Sequence, residues 1–398
     1  MAGIWAGRTA PGRSVVVLDG ARTLGAKMLV AGGGRCNVTH HAVDATAYAG
    51  SSQHAIATVL RRFPVPQTVG FFRELGVELK REDTGKLFPT SDSSRAVLHA
   101  MLVAAEQAHV TIQHPCRVDT VERQNNGFRV GGTWGTIDAQ KVILATGGKS
   151  LPKSGSDGHG YRLAQALGHR VTERMFPALV PLLLPSDHVL CSLSGIAAPA
   201  TLELWSGTGK RLRTSTNSTL CTHFGLSGPG VLDISRYYLD AHADDAGATL
   251  TINWLPEHTG EQLDRELQGL GHGTPLKHLR AALPERLVRA LCEHAGVEPT
   301  ISGHHLTREQ RKALVRSFTR LPLPITGNRG YNYAEVTAGG VPLSEIQLSA
   351  MESRRCSNLH LCGEICDVDG RIGGFNFQWA WASGYVAGVA AGRAVAAH

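Results

Sequence analysis

Residues 14–37 read SVVVLDGARTLGAKMLVAGGGRCN: a short run of β-branched residues closes on an acid, and a dozen residues later come three consecutive glycines followed by Arg, Cys and Asn. A continuous apolar run such as SVVVLD (14–19) marks a strand buried on both faces of a parallel sheet, since a half-exposed strand would alternate. KVILATGG (141–148) has the same form, and each run feeds a glycine-containing turn. Between them SRAVLHAMLVAAEQA (94–108) has helical spacing. VTIQHPCRVDTVERQNNGFRVGG (110–132) alternates like short antiparallel strands joined at Asn125-Asn126-Gly127. Strand, helix, meander and strand in that order predict an α/β nucleotide-binding domain.

Working outward, the style changes after FPALVPLLLP (176–185). Strand candidates ATLELW (200–205) and ATLTINWLP (248–256) precede a helical block from EQLDRELQGL (261–270) to REQRKALVRSF (308–318). The earlier style returns in NLHLCGEI (358–365), a strand into a turn, and in GGFNFQWAWASGYVAGVAAGRAV (373–395), a long helix entered through glycines. The predicted organisation is therefore one α/β domain in two segments, 1–178 and 351–398. A β-rich, barrel-like domain is inserted at 179–350, with a helical subdomain at about 257–320. No internal repeat is evident.

Composition bounds the class. The 398 residues are 42% hydrophobic and only 18% charged, which fits a globular enzyme rather than a tail or scaffold. Glycine, at 46 residues, is well above the roughly 7% of average proteins, so close backbone approaches are expected. The net charge of +7 favours an anionic partner. The densest basic run, TREQRKALVR (307–316), carries a compensating Glu and reads as a solvated helix face. Eight cysteines without a paired framework read as reduced thiols. The N-terminal apolar stretch is too short for a signal peptide. The longest apolar helix candidate, WAWASGYVAGVAAG (379–392), falls short of the roughly 20 residues a bilayer requires. A cytoplasmic protein without a membrane partner is expected.

Asp19 closes its strand where an acid accepts from the ribose hydroxyls of a dinucleotide. In that arrangement a G-x-G-x-x-G turn lies about 20 residues earlier, and here that place falls upstream of Met1. AGIWAGR (2–8) reads either as the rear half of the helix following that turn or as an N-terminal helix with no phosphate role. In AGGGRCN (31–37), Gly32, Gly33 and Gly34 let backbone approach a flat ring or a phosphate. Arg35 can fix an anion and Cys36 can donate or accept a proton; a plain loop with a buried cysteine stays open beside that reading. In CGEICDVDGRIGGFNFQWAWASG (362–384), Asp367 or Asp369 can bond polyol hydroxyls, and the free amides at Gly373 to Asn376 turn partial positive charge toward a ligand. Gly384, Gly388 and Gly392 share one helix face and permit close packing on a sheet. Cys356, His360, Cys362 and Cys366 lack the paired C-x2-C spacing of structural zinc sites, so no metal is expected.

Several long segments resemble, in order, one bacterial flavoprotein family, the BaiN/RdsA-type NAD(P)/FAD-dependent oxidoreductases. They are LGAKMLVAGGGRCNVTH (24–40), GKLFPTSD (85–92), VILATGGKSLPKSGSDGHGYRLAQALGH (142–169), FPALVPLLL (176–184), THFGLSGPGVLDISR (222–236), AEVTAGGVPLSEI (334–346) and GEICDVDGRIGGFNFQWAWASG (363–384). The resemblance implies a two-segment Rossmann-type FAD domain interrupted by a β-rich domain. It implies Asp19 at the adenosine ribose, the Val118 backbone at adenine, and Thr146 and Gly147 along the dinucleotide. Asp369 would stand at the pyrophosphate or ribityl region, with Gly374 to Gln378, Asn376 included, against the isoalloxazine. Arg35, Cys36 and Asn37 would lie near the reactive ring, with Cys36 the candidate general acid. Members of the family begin with a strand and glycine-rich turn, so a chain starting at this Met1 is expected to lack that phosphate nest and one central strand.

The reaction so implied passes hydride from NAD(P)H through flavin to an activated C=C. Uridine in ribosomal RNA leads as substrate because the chain is basic, ahead of a small enone such as a 3-oxo-steroid. The other expectations are a flavin amine or ketone oxidase, and a flavin-free remnant that only binds RNA or protein.

Overall fold

The structure, a computed structural model, describes residues 1–393. The chain divides into two compact units, one formed by residues 1–177 and the chain from 334 onward, the other by residues 178–333. Each has its own apolar core.

The first unit opens with α1 (Ala2–Thr9) and β1 (Val15–Leu18), then α2 (Ala26–Val30), β2 (Thr39–His40) and β3 (Tyr48–Gly50). After two helices come β4 (Leu79–Arg81), β5 (Lys86–Pro89), α3 (Ser94–Gln107), β6 (Val110–Gln113), β7 (Val142–Leu144) and α4 (His159–Ala166). The segment from 334 adds β8 (Leu359–Leu361), β9 (Val368–Gly370) and α5 (Phe375–Gly392).

The two apolar runs are parallel strands, but β1 is not buried on both faces as its composition predicts: Val15, Val17 and Leu18 are half-buried and Val16 is exposed, because β1 has a single ladder partner among the described residues. β1 pairs with β6 from Val15↔Val110 to Leu18↔Gln113, and β7 pairs with β8 from Val142↔Leu359 to Leu144↔Leu361. Among the described residues no ladder joins the β1–β6 pair to the β7–β8 sheet. Residues 110–113 thus belong to the parallel sheet and not to the meander expected over 110–132. The antiparallel meander is Thr120–Gln124, Gly127–Gly132 and Gly135–Ala139, with Asn125 and Asn126 forming its first turn. The alternation of 110–113 reflects one-sided cover of an outer strand, not antiparallel pairing.

The helix α5 is the unit's spine. Its glycine face meets α1 rather than a sheet: a Cβ on Gly388 would lie 2.4 Å from the Ala2 carbonyl oxygen, and one on Gly392 2.7 Å from that of Ala6. The apolar side buries Phe375, Trp379, Trp381 and Val386 in the core. Burying side chains of this size contributes about 1.5–3 kcal/mol each.

The first unit resumes at 334, where the sequence reading resumed it at 351. Thr337 Oγ1 accepts from the amides of Lys149 (2.7 Å) and Ser150 (3.1 Å), and Ile346–Gln347 extends the β8 sheet through Glu352–Ser353. Neither link has a periodicity that sequence inspection detects.

In the second unit seven strands form one antiparallel sheet in the order Leu321–Leu323, Thr249–Asn253, Ala197–Trp205, Arg211–Thr222, Gly225–Ser227, Leu182–Leu183, Gly327–Asn328. Its two edge strands are not paired with each other among the described residues. The helix Pro229–Asp244 covers the sheet, and four helices between Gly260 and Thr319 complete the core around Trp254 and Phe318. Two of these helices start with full capping boxes, Thr259 with Gln262 and Thr307 with Gln310.

Candidate functional site

Asp19 leaves β1 in a turn that fixes it. Its amide donates to Gln113 O (3.0 Å), its carbonyl accepts from the Cys116 amide (2.7 Å), and Oδ1 accepts from the Ala21 amide (2.8 Å). Ala21 packs against Gly155, where an added Cβ would come within 3.3 Å of the alanine methyl. Next to Gly155 is Ser156, whose buried Oγ has no partner, and a Cβ on Gly147 would lie 2.5 Å from that oxygen. Thr146 stands over Gly160 in the first turn of α4. Asp19, Gly155, Ser156, Thr146 and Gly147 are therefore contiguous, although more than 120 residues separate Asp19 from the other four in sequence. Val118 is partly buried against the same core.

The AGGGRCN loop follows α2 and has four left-handed residues: Gly32 (φ 59°), Gly33 (φ 70°), Gly34 (φ 86°) and Cys36 (φ 63°). Gly32 is sterically required, because a Cβ there would lie 2.9 Å from the Phe88 ring and 3.1 Å from the Asn37 amide. Gly33 has no heavy atom within 4 Å of its Cβ position, and Gly34 has only the Leu29 carbonyl oxygen, at 3.8 Å. These two glycines face open space on one side of the loop.

The three residues after the glycines divide their work. Arg35 is turned to the β4–β5 side, 2.6 Å from Glu82 and 3.7 Å from Asp92, with its guanidinium 4.0 Å over Phe88. Cys36 has no accessible surface, and burial pushes its thiol up to about 12. Asn37 is 8% exposed and its Oδ1 has no partner. Leaving such an oxygen unpaired costs about 1–3 kcal/mol.

The loop is tied to α5. The Val38 carbonyl accepts from Trp381 Nε1 (2.8 Å), and Thr39 Oγ1 donates to Gln378 Oε1 (2.7 Å). Gln378 also accepts from Thr68 (3.0 Å) and donates to the Phe63 carbonyl (2.8 Å), so its side chain is spent inside the protein. Asn376 clasps Gly370, accepting from its amide and donating to its carbonyl, both at 2.8 Å. Asp369, in β9, pairs with Ala49 of β3. Gly374 caps α5 in a left-handed conformation with no side-chain cap, and its Cα abuts the Thr39 backbone. The helix start has no side-chain cap, whereas the Asn376 and Gln378 side chains are bonded inside the protein.

Several groups here carried no signal in the sequence. Lys27 of α2 pairs with Glu364 at 2.5 Å, and Glu364 also accepts from the Thr337 amide (2.9 Å). Desolvation raises the Glu335 carboxyl, with Lys27 opposing. His40 stacks on Phe375 at 5.0 Å, with Nδ1 2.7 Å from the Ala42 carbonyl and Nε2 3.1 Å from the Thr84 carbonyl; burial lowers its pKa against the pull of these carbonyls, and the neutral ring donates to one of them at a time. Arg371 lies 4.5 Å over the other partner of that stack, Phe375. Only spacing to the glycine loop could have flagged Lys27 and His40. Among the described residues no three His, Cys, Asp or Glu side chains are grouped to hold a metal ion, all eight cysteines are free, and no helix is long and apolar enough to cross a membrane.

Comparison with known proteins follows the same lines. The chain is 32% identical over 395 residues to a 3-dehydro-bile acid delta(4,6)-reductase of Clostridium scindens, covering 98% of this chain and 96% of that protein. It is 33% identical over 377 residues to a ribosomal RNA dihydrouridine synthase of Escherichia coli, covering 94% and 91%. Among solved structures, quinol fumarate reductase FrdA of E. coli shares the fold at a TM-score of 0.51 and 16% identity, over 98% of this chain and 68% of that one. Residues 1–390 match the HI0933-like protein Rossmann domain. The chain belongs to this HI0933-like family of FAD-dependent oxidoreductases.

Proposed function

We propose that the first unit holds FAD along the path from Asp19 to the glycine loop, and that the chain passes hydride from NAD(P)H to an activated C=C, with uridine of ribosomal RNA as the substrate class. The observation that carries this reading is the open side of Gly33 and Gly34 in a loop that also holds the buried, unpartnered Asn37 Oδ1. A planar ring with a hydrogen-bond donor at its edge fits both, and the unpartnered Ser156 Oγ beside Gly147 fits the polyol part of the same cofactor. Bound FAD supplies two-electron transfer.

The chain's own residues bind and orient. Asp19 takes the ribose hydroxyls, Val118 offers backbone to adenine, and Thr146 and Gly147 keep the strand end close to the dinucleotide. Asp369 and the first amides of α5, beyond Gly374, carry the polar end of the chain's grip. Arg35 and Cys36 hold the loop in its left-handed path, one through Glu82 and Phe88 and the other by filling the core beneath. A thiol with no accessible surface does not reach a substrate, so positioning replaces the proton-donor role for Cys36.

Dihydrouridine is uridine with its ring C=C reduced, and a delta(4,6)-reductase also saturates ring double bonds. The activities named for the two relatives each add a hydride to one carbon and a proton to its neighbour. The charge of +7 favours the polyanionic substrate over the steroid. On this reading the unit of residues 178–333 binds the RNA.

The test is anaerobic. Purified holoprotein is bleached with NADH or NADPH, and the return of flavin absorbance is followed after adding an rRNA fragment or a 3-oxo-steroid enone. Rapid return with RNA and formation of dihydrouridine is the expected result. Return with the steroid alone supports the small-enone reading. Return only with oxygen, with peroxide formed, overturns the reductase reading in favour of an oxidase.

A further inference from the structure

In the second unit a stack of planar groups reaches the surface. The Arg329 guanidinium lies 3.6 Å from the centroid of Tyr333 and 4.3 Å from that of Phe224, so the cation sits against both rings. His223 packs edge-on against Phe224 at 5.1 Å. Both sides of the sandwich are held by sheet backbone. The Phe224 carbonyl accepts from the Leu184 amide (3.1 Å) and the Arg329 amide donates to the Pro181 carbonyl (3.1 Å), at either end of the strand Leu182–Leu183. The turn carrying Tyr333 is fixed by bonds from the Gly330 amide to Asn328 Oδ1 (2.8 Å) and from the Tyr333 amide to the Gly330 carbonyl (3.1 Å).

Two properties make this more than an isolated surface aromatic, which alone would need no explanation. Among the described residues Arg329 has no carboxylate partner, so its positive charge, in contact with ring faces only, stays uncompensated, and Tyr333 is 53% exposed. A guanidinium fixed between rings also has little freedom left to lose when a ligand docks. We infer that Tyr333, Arg329 and Phe224 form a stacking platform for an unpaired base of single-stranded RNA, the base lying on Tyr333 and a neighbouring phosphate on Arg329. The inference rests on the RNA reading proposed above. Exposed cations of the same unit, Lys210, Lys312 and Arg316, supply the wider positive surface.

The test measures anisotropy of a labelled oligouridine of about 12 nucleotides, beside an abasic strand of equal length, at about 50 mM salt. Tyr333→Ala should weaken oligouridine binding by about 5- to 150-fold, the worth of one base–aromatic stack, and Tyr333→Phe should restore it. The abasic strand should bind weakly and respond to neither change. Arg329→Gln should flatten the salt dependence by about 0.7 in log–log slope. Tyr333 is exposed, so its variants keep the fold, and circular dichroism checks this. If oligouridine binds and Tyr333→Ala binds it equally, the platform is overturned while the RNA reading stands. If the wild type binds no oligouridine, both fall.

Discussion

Replacing Gly33 by alanine puts one methyl group into the open side of the glycine loop. The position has φ +70° and no heavy atom within 4 Å of the new Cβ, so the folded-state cost is that of a left-handed L residue, about 1–2 kcal/mol. Gly76→Ala is the matched control, with φ +77° and again nothing within 4 Å, in the turn after the helix Val65–Glu74. Without cofactor the two variants should lose the same stability in urea. They part when FAD is added. A ring resting on Gly33 at a contact distance of about 3.5–4.0 Å would meet a Cβ about 1.5 Å nearer, and has to withdraw by a similar amount. Each 1.4 kcal/mol of lost contact is tenfold in affinity. The FAD dissociation constant, measured by calorimetry or by quenching of flavin fluorescence, should therefore rise about tenfold or more in Gly33→Ala and stay at the wild-type value in Gly76→Ala. Equal FAD affinity in the two variants, with equal stability loss, would refute the assignment of this loop to the flavin.

Cys36→Ala should cost stability, about 1–2 kcal/mol for a buried group of this size, while turnover of the holoenzyme falls less than about threefold; a loss of 10²–10⁴ would restore the thiol as general acid. Glu345 accepts from His169 (3.0 Å), Arg170 (2.9 Å) and Arg355 (3.1 Å); burial alone would raise its carboxyl, but these donors outweigh it and hold it at about 2 against an ordinary 4.5. A depressed pKa contributes stability that is present above 4.5 and lost as pH falls toward 2, so the wild-type urea midpoint should drop more than that of Glu345→Gln between about pH 5 and pH 3; parallel curves would contradict this. Lys312 and Arg316 are exposed and lie i, i+4 on the helix Arg308–Thr319, so changing both to Gln should reduce the log–log salt slope of RNA binding by up to about 1.4, and an unchanged slope would remove this helix from the RNA surface. Arg311 is unsuited to that test, because it is largely buried against Asp264 at 3.1 Å.

The parallel strands, the interrupted α/β domain and the family were legible because they rest on local signals: unbroken β-branched runs, glycine turns at strand ends, and a change of style near 178. What escaped was long-range. The assignment of 110–113 to the parallel sheet depends on its partner Val15–Leu18, and the return to the first unit at 334 depends on Thr337 meeting Lys149 and Ser150. The glycine face of α5 was legible as a close-packing surface, but its partner was not, since a helix and a sheet both accept a small-residue stripe. Lys27 and Glu364 stand 337 residues apart and form one ion pair; neither is conspicuous alone.

The glycine loop shows why residue type misleads about role. Arg, Cys, Asn and Gln are the chemically capable residues of these segments. In the fold Arg35 is held by Glu82 and Phe88, Cys36 is core, and Gln378 spends all three of its hydrogen bonds internally. Of the loop's four left-handed residues only Cys36 is not glycine, and its backbone costs about 1–2 kcal/mol that the rest of the structure has to offset. The packing of Cys36 and the contacts of Arg35 hold that path, while Gly33 and Gly34 stay bare and the Asn37 oxygen has no partner. On the proposed reading, what the loop would offer a flat cofactor is set by its least reactive residues. That is why the methyl group at position 33, and not the loss of the thiol at 36, is the perturbation expected to separate binding from folding.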